Sequence, residues 1–241
     1  MRLSSLCAAA VTAILATTAG VAEAGTVYLG SGTASDGRAA SASVDVTFDA
    51  TGNTLTLVLT NTTGYTYCAA ELLTAFRFDL TGVTGSGTLS SATAHSRDVS
   101  STGAVSDSTS PVNLLTVNPN GNPATWALGT FGGLFDLMFT PNAEYALLGK
   151  AESDGDYSTA NDSIRGNAGH NPFVRQTSTF VISFSDVTGS AAITDLNFRF
   201  GTDFAGSVTV VPLPPAVLLG LGLMGGIGAV RAIRRRRRPE F

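Results

Sequence analysis

Four side chains with distinctive chemistry are nearly missing from this chain of 241 residues, which has two His, two Cys, one Trp and one Lys. With so few histidines, a hydrolase triad would have to use His95 or His170, and no Gly-x-Ser-x-Gly elbow accompanies them. No His or Cys pair stands at zinc-ligand spacing, so zinc is not expected either. Cys7 falls in an apolar N-terminal stretch, which leaves Cys68 alone in the rest of the chain; an internal disulfide is excluded there, and packing has to supply the stability. A cysteine of this kind is expected in the interior, as a small hydrophobe. Positive charge is equally scarce between the two ends. Residues 25–211 carry sixteen Asp plus Glu against six Arg and one Lys, a net of −9, where the full sequence has −4. Such a body repels phosphate backbones, so no nucleic-acid partner is expected.

The remaining basic residues sit at the two ends. Arg2 opens the chain, Leu6 to Ala16 is apolar, and Ala22-Glu23-Ala24 has the small-residue pattern of a cleavage site; residues 1–24 therefore read as a secretory signal peptide. At the other end, Val211-Pro212-Leu213-Pro214-Pro215-Ala216 leads into an uncharged run ending at Val230. Arg231 and the block Arg234, Arg235, Arg236, Arg237 and Arg238 follow. At 1.5 Å rise per residue, 213–230 reaches ~27 Å, the depth of a bilayer core, and it reads as a transmembrane helix. The arginines act as a cytoplasmic stop, which places 25–211 outside the inner membrane. Gly220-Leu221-Gly222-Leu223-Met224-Gly225 matches G-x-G-x-x-G, but a dinucleotide site needs a preceding strand and a βαβ unit. Within a span, Gly222 and Gly226 instead permit close helix approach.

Motif, span and basic tail in that order, beside a signal peptide, resemble a PEP-CTERM sorting signal of the VPLPA-type variant. The usual Pro-Glu-Pro is replaced here by Val211-Pro212-Leu213-Pro214-Pro215-Ala216, and Pro239-Glu240 lies beyond the arginines, outside the motif. The resemblance implies a processing partner, an exosortase, which is a membrane-embedded cysteine transpeptidase. The prolines fix an extended segment that such an enzyme could grip, and Pro215 suits the first turn of a helix. An ordinary single-pass tail anchor is the competing reading.

Between the signals a period of two dominates. Val44, Val46 and Phe48 alternate with polar residues, Ala50-Thr51-Gly52-Asn53 turns the chain, and Leu55, Leu57 and Leu59 alternate again, with Val58 breaking the polar side. Similar runs are Phe76, Phe78 and Leu80; Phe180, Ile182 and Phe184; Leu196, Phe198 and Phe200; and Val208 with Val210. The twelve Phe of this body can supply the apolar area of a core. The pattern predicts an all-β fold, a single antiparallel β-sandwich, jelly-roll-like or Ig-like, over 25–211 with the phenylalanines inside. Residues 98–125 and 150–172 read as long loops, with helical turns expected only at Tyr145 to Leu148 and Ala69 to Thr74. Val46-Thr47-Phe48, Thr54 to Thr62, Phe76 to Leu80, Asn171 to Val174 leading into Phe180 to Phe184, and Ile193 to Thr202 together resemble exosortase-dependent surface proteins. That family implies an exported β-rich surface protein and brings no molecular activity with it.

Two places invite a binding role. Glu152, Asp154, Asp156 and Asp162, with Gly155 and Asn161 among them, offer hard oxygen ligands for calcium, although the glycine position departs from an EF-hand and no closing glutamate follows. Solvated acidic surface is the competing reading. Tyr65, Tyr67 and Trp126 fall in loop-like surroundings, where exposed rings could stack on a polysaccharide; burial is the alternative for each. The sequence thus predicts a non-enzymatic protein without a required cofactor, exported, transiently held in the inner membrane, then released by an exosortase to the cell surface or matrix. Association with exopolysaccharide or biofilm is expected, with a carbohydrate-binding or calcium-dependent adhesive module as the alternative.

Overall fold

The computed structural model describes residues 25–115, 126–139, 144–167, 169–201 and 209–212, with backbone alone for 139 and 209–212. The signal peptide 1–24, the expected span 213–230 and the basic tail lie outside the described residues. Among the described residues no helix is long and apolar enough to cross a membrane. The fold is all-β. Its strands are β1 (Thr26–Thr33), β2 (Ala39–Asp49), β3 (Thr54–Asn61), β4 (Leu73–Thr84), β5 (Thr88–Val99), β6 (Val105–Asp107), β7 (Val112–Asn113), β8 (Trp126–Phe131), β9 (Leu134–Phe139), β10 (Leu147–Leu148), β11 (Phe173–Ser183), β12 (Asp186–Phe200) and β13 (Thr209–Pro212).

The hydrogen-bonded order is β13-β1-β2-β3-β11-β10-β4-β9-β8; β12 adds to β4, β5 adds to β11, and β6 and β7 add to β5. The alternating runs become strands for the expected reason: each buries one row. In the β2–β3 hairpin Val46 stands opposite Leu57 and Val44 opposite Leu59, all four buried. Its turn is held by the Asp49 carboxylate, which accepts from the Thr51 and Gly52 N–H groups, and Asn53 takes the left-handed conformation. Val44, Leu57, Phe180 and Ile182 join Phe76, Phe78, Leu137 and Phe198 in one core, where the Trp126 and Phe180 rings lie 4.9 Å apart. Deep burial of these rings is the main apolar contribution to the fold.

Three expectations need correction. Segment 98–125, read as a loop, holds the end of β5 together with β6 and β7, both paired antiparallel with β5. Pairing is not wholly antiparallel, because Leu147 and Leu148 of β10 run parallel to Val174 and Arg175 of β11. A parallel return needs a crossover of about a dozen residues or more, and the long segment 149–172 supplies it. Nor is Tyr145 to Leu148 a helical turn. Tyr145 has φ 68, and its N–H is bonded to the Pro172 carbonyl, so the chain enters β10 instead. Only Ala69–Glu71 coils, as a short 3-10 turn whose Glu71 side chain returns to the Cys68 N–H. Segment 150–172 is a loop, as expected, but it covers a second core of Leu72, Val99, Leu148, Tyr157, Ile164 and Phe173. Gly103 permits this: it has φ 91, and a Cβ there would lie 2.5 Å from Tyr157 backbone.

Candidate functional site

The two ends of the expected exported body meet at one edge of the sheet. β13 pairs antiparallel with β1, with Tyr28 opposite Pro212, Leu29 opposite Val211, Gly30 opposite Val210 and Ser31 opposite Thr209. The start of β1, just after Ala24, and the end of β13 therefore share one end of the ladder. Pro212, the last described residue of the ladder, has no N–H to donate to it. The motif is thus divided: Val211 and Pro212 are strand residues, where the sequence suggests one accessible linker. Leu213, Pro214, Pro215 and Ala216 lie outside the described residues, as do Arg231, Arg234, Arg235, Arg236, Arg237 and Arg238.

The acidic loop is organised by its own hydrogen bonds. Glu152 accepts from the Thr159 N–H at 2.7 Å and from the Tyr65 hydroxyl at 3.0 Å, with Ser158 Oγ at 3.3 Å. The Thr159 N–H is the main reason its carboxyl is held below the usual range. Asp154 accepts from the Asp156 N–H, and Asp162 pairs with Arg165 at 3.2 Å. No three of Glu152, Asp154, Asp156 and Asp162 bring ligand oxygens together. Among the described residues the one such grouping is Asp36, Cys68 and Glu71.

The aromatic residues do not form a platform. Trp126 is 1% exposed, and its Nε1–H donates to the Tyr145 carbonyl at 3.0 Å, so glycan stacking there is ruled out by burial. Tyr65 and Tyr67 are half-buried. The Tyr65 ring stacks on buried Tyr157 at 6.4 Å, and the Arg38 guanidinium lies 4.0 Å from the centre of the Tyr67 ring. Of the histidines, His95 Nδ1 lies 3.1 Å from the Ser108 carbonyl, toward which it can act only as donor, and His170 stacks on Phe173.

Cys68 is buried and in no disulfide, and its thiol donates to Asp36 Oδ2 at 3.1 Å. Burial first, then this bond, push the thiol up to about 11. Glu71, also buried, accepts from the Tyr67 and Cys68 N–H groups, and burial raises its carboxyl above the usual range. Sequence reasoning misses this grouping because Asp36 is brought in from the β1–β2 turn. A second feature it misses is a small polar cavity lined by Ala75, Arg77, Asp136, Asn197 and Arg199. The signal for it is present as two Phe-Arg-Phe triplets, at 76–78 and 198–200. No family model matches the chain, and no curated protein or solved structure matches it.

Proposed function

We propose that the chain is an exported surface or extracellular-matrix protein without catalytic activity, held briefly in the inner membrane by 213–230 and then cut by an exosortase. The observation that carries this reading is the antiparallel pairing of β1 with β13, Tyr28 opposite Pro212. A chain delivered by an N-terminal signal and stopped by a C-terminal span has both ends at the membrane while it folds. A body whose ends lie side by side can fold in that position without being stretched between them. β13 ends at Pro212, so little chain separates the edge of the sheet from the expected span 213–230. Within this reading the body is a single sandwich, jelly-roll-like or Ig-like. The shared core of β3, β11, β4, β9 and β12 supports that, and the parallel β10–β11 contact is a local departure. Association with an extracellular polysaccharide belongs to the same reading.

Mass spectrometry of the protein recovered from cells tests it. The expected product lacks 1–24 and 216–241, and deleting the exosortase leaves the C-terminal segment attached. An intact C-terminus in cells with a working exosortase would reduce the tail to a plain anchor.

A further inference from the structure

The outer face of the sheet carries a cavity that export and processing do not use. Phe76, Phe78, Phe198 and Phe200 point into the core, so strand alternation sends Arg77 and Arg199 to the opposite face. The register sets Arg77 opposite Asn197 of β12 on one side and opposite Asp136 of β9 on the other, with Ala75 opposite Arg199. Together these five residues line a cavity of about 110 Å³. Two of the six arginines of a strongly acidic body are therefore gathered at one place.

Asp136 is the residue that points to a ligand. It is 2% exposed, and its Oδ2 accepts from Arg77 Nη2 at 2.7 Å, while its Oδ1 is buried and has no hydrogen-bond partner. A buried carboxylate oxygen without a donor is destabilising, and a hydroxyl entering the cavity that Asp136 lines supplies one once the side chain turns Oδ1, which is closed to water, toward it. At the end of β8 stands Phe131, 61% exposed, its ring centre 4.4 Å from the Arg77 guanidinium. One place thus offers a buried acceptor, two guanidiniums, an amide and an exposed aromatic face.

We infer that this cavity binds a hydroxylated carboxylate, the chemistry of an acidic sugar residue. The carboxylate meets the arginine side, a hydroxyl donates to Asp136 Oδ1, and the C–H face of the sugar ring lies on Phe131. A neutral sugar brings no charge for the guanidiniums. Acetate brings no hydroxyl for Asp136. The inference gives the associated polysaccharide a chemical class, and it rests on the proposed function only for the source of the ligand.

Saturation-transfer NMR on the purified full chain in detergent, with a short galacturonate oligomer as probe, tests it independently of processing. Transfer to the oligomer is expected, with its fully methyl-esterified form and a glucose oligomer binding about tenfold or more weakly, the loss of one charge-assisted hydrogen bond. Arg199→Gln and Phe131→Ala should each weaken binding by a similar factor. Arg199→Lys, which keeps the charge but not the planar fork, should fall between. His95→Ala, in a separate groove that His95 lines with Pro111, Arg175 and Thr179, should leave binding unchanged. Melting curves identify any variant that fails to fold, and the oligomer comparison and the remaining variants then decide the outcome. Absence of transfer, equal binding of the neutral oligomer, or full binding by folded Arg199→Gln would each overturn the inference.

Discussion

Tyr28 stands opposite Pro212 in the outermost ladder of the sheet, so the first strand holds Val211 and Pro212, the first residues of the proposed sorting motif and its entry to the proposed span. Cleavage inside Val211-Pro212 would require pulling β13 away from β1, whereas cleavage after Pro212 would not. The mature C-terminus is therefore expected at or beyond Pro212. Intact-mass measurement of the processed protein decides this to a single residue, and a product ending at Val211 or earlier would contradict it.

The core offers a second test. Phe180 and Phe198 are fully buried, and Phe180 packs on Trp126 while Phe198 packs on Phe76. Replacing either by Ala removes a ring and leaves a cavity, which should destabilise the fold by ~3 to 5 kcal/mol in denaturant unfolding. A change below ~1 kcal/mol would mean that the site collapses around the missing ring or that this face contributes little to stability.

The strands are legible wherever one face is buried and alternation is strict. Val44 to Phe48, Leu55 to Leu59 and Phe180 to Ile182 all follow the predicted face. The β10 bridge is not legible, because two leucines carry no period and their conformation is set by partners far along the chain, Leu73 and Val174. Candidate sites differ from strands for the same reason. The acidic loop is visible as composition, but whether its carboxylates gather depends on Thr159, Tyr65 and Arg165, which claim them first. The two Phe-Arg-Phe triplets put Arg77 and Arg199 on one face, but their meeting with Asp136 depends on cross-strand register, which no local spacing encodes.

Cys68 gives a pH dependence with a definite sign. Its ordinary value is 9.0 and burial raises it to about 11, so the folded state holds the thiol proton more tightly than the unfolded chain. The contribution to stability is fully present below 9.0 and is lost as pH rises from there through about 11. Tyr157, raised to about 12, acts in the same sense at higher pH. Subtracting the stability profile of Cys68→Ala isolates the thiol: the difference should fall between these values and be flat at neutral pH. A flat difference throughout would show that the thiol titrates as in the unfolded chain.

The loop from Glu152 to Asp162 provides the last test. A calcium site needs several oxygens free to turn toward one ion, but Glu152 is occupied by the Thr159 N–H and two hydroxyls, and Asp162 is paired with Arg165. Binding would first have to break these bonds. Calcium added to chelator-treated protein should therefore leave the melting temperature unchanged, whereas a bound ion at about a hundred times its dissociation constant would add ~2.7 kcal/mol. Glu152→Gln should lower the melting temperature even without calcium, because it weakens the acceptor that ties Tyr65 and Thr159 into the loop. A calcium-dependent rise abolished by Asp154→Asn/Asp156→Asn would show instead that the loop rearranges around the ion, with Glu152 released from Thr159 to become a ligand.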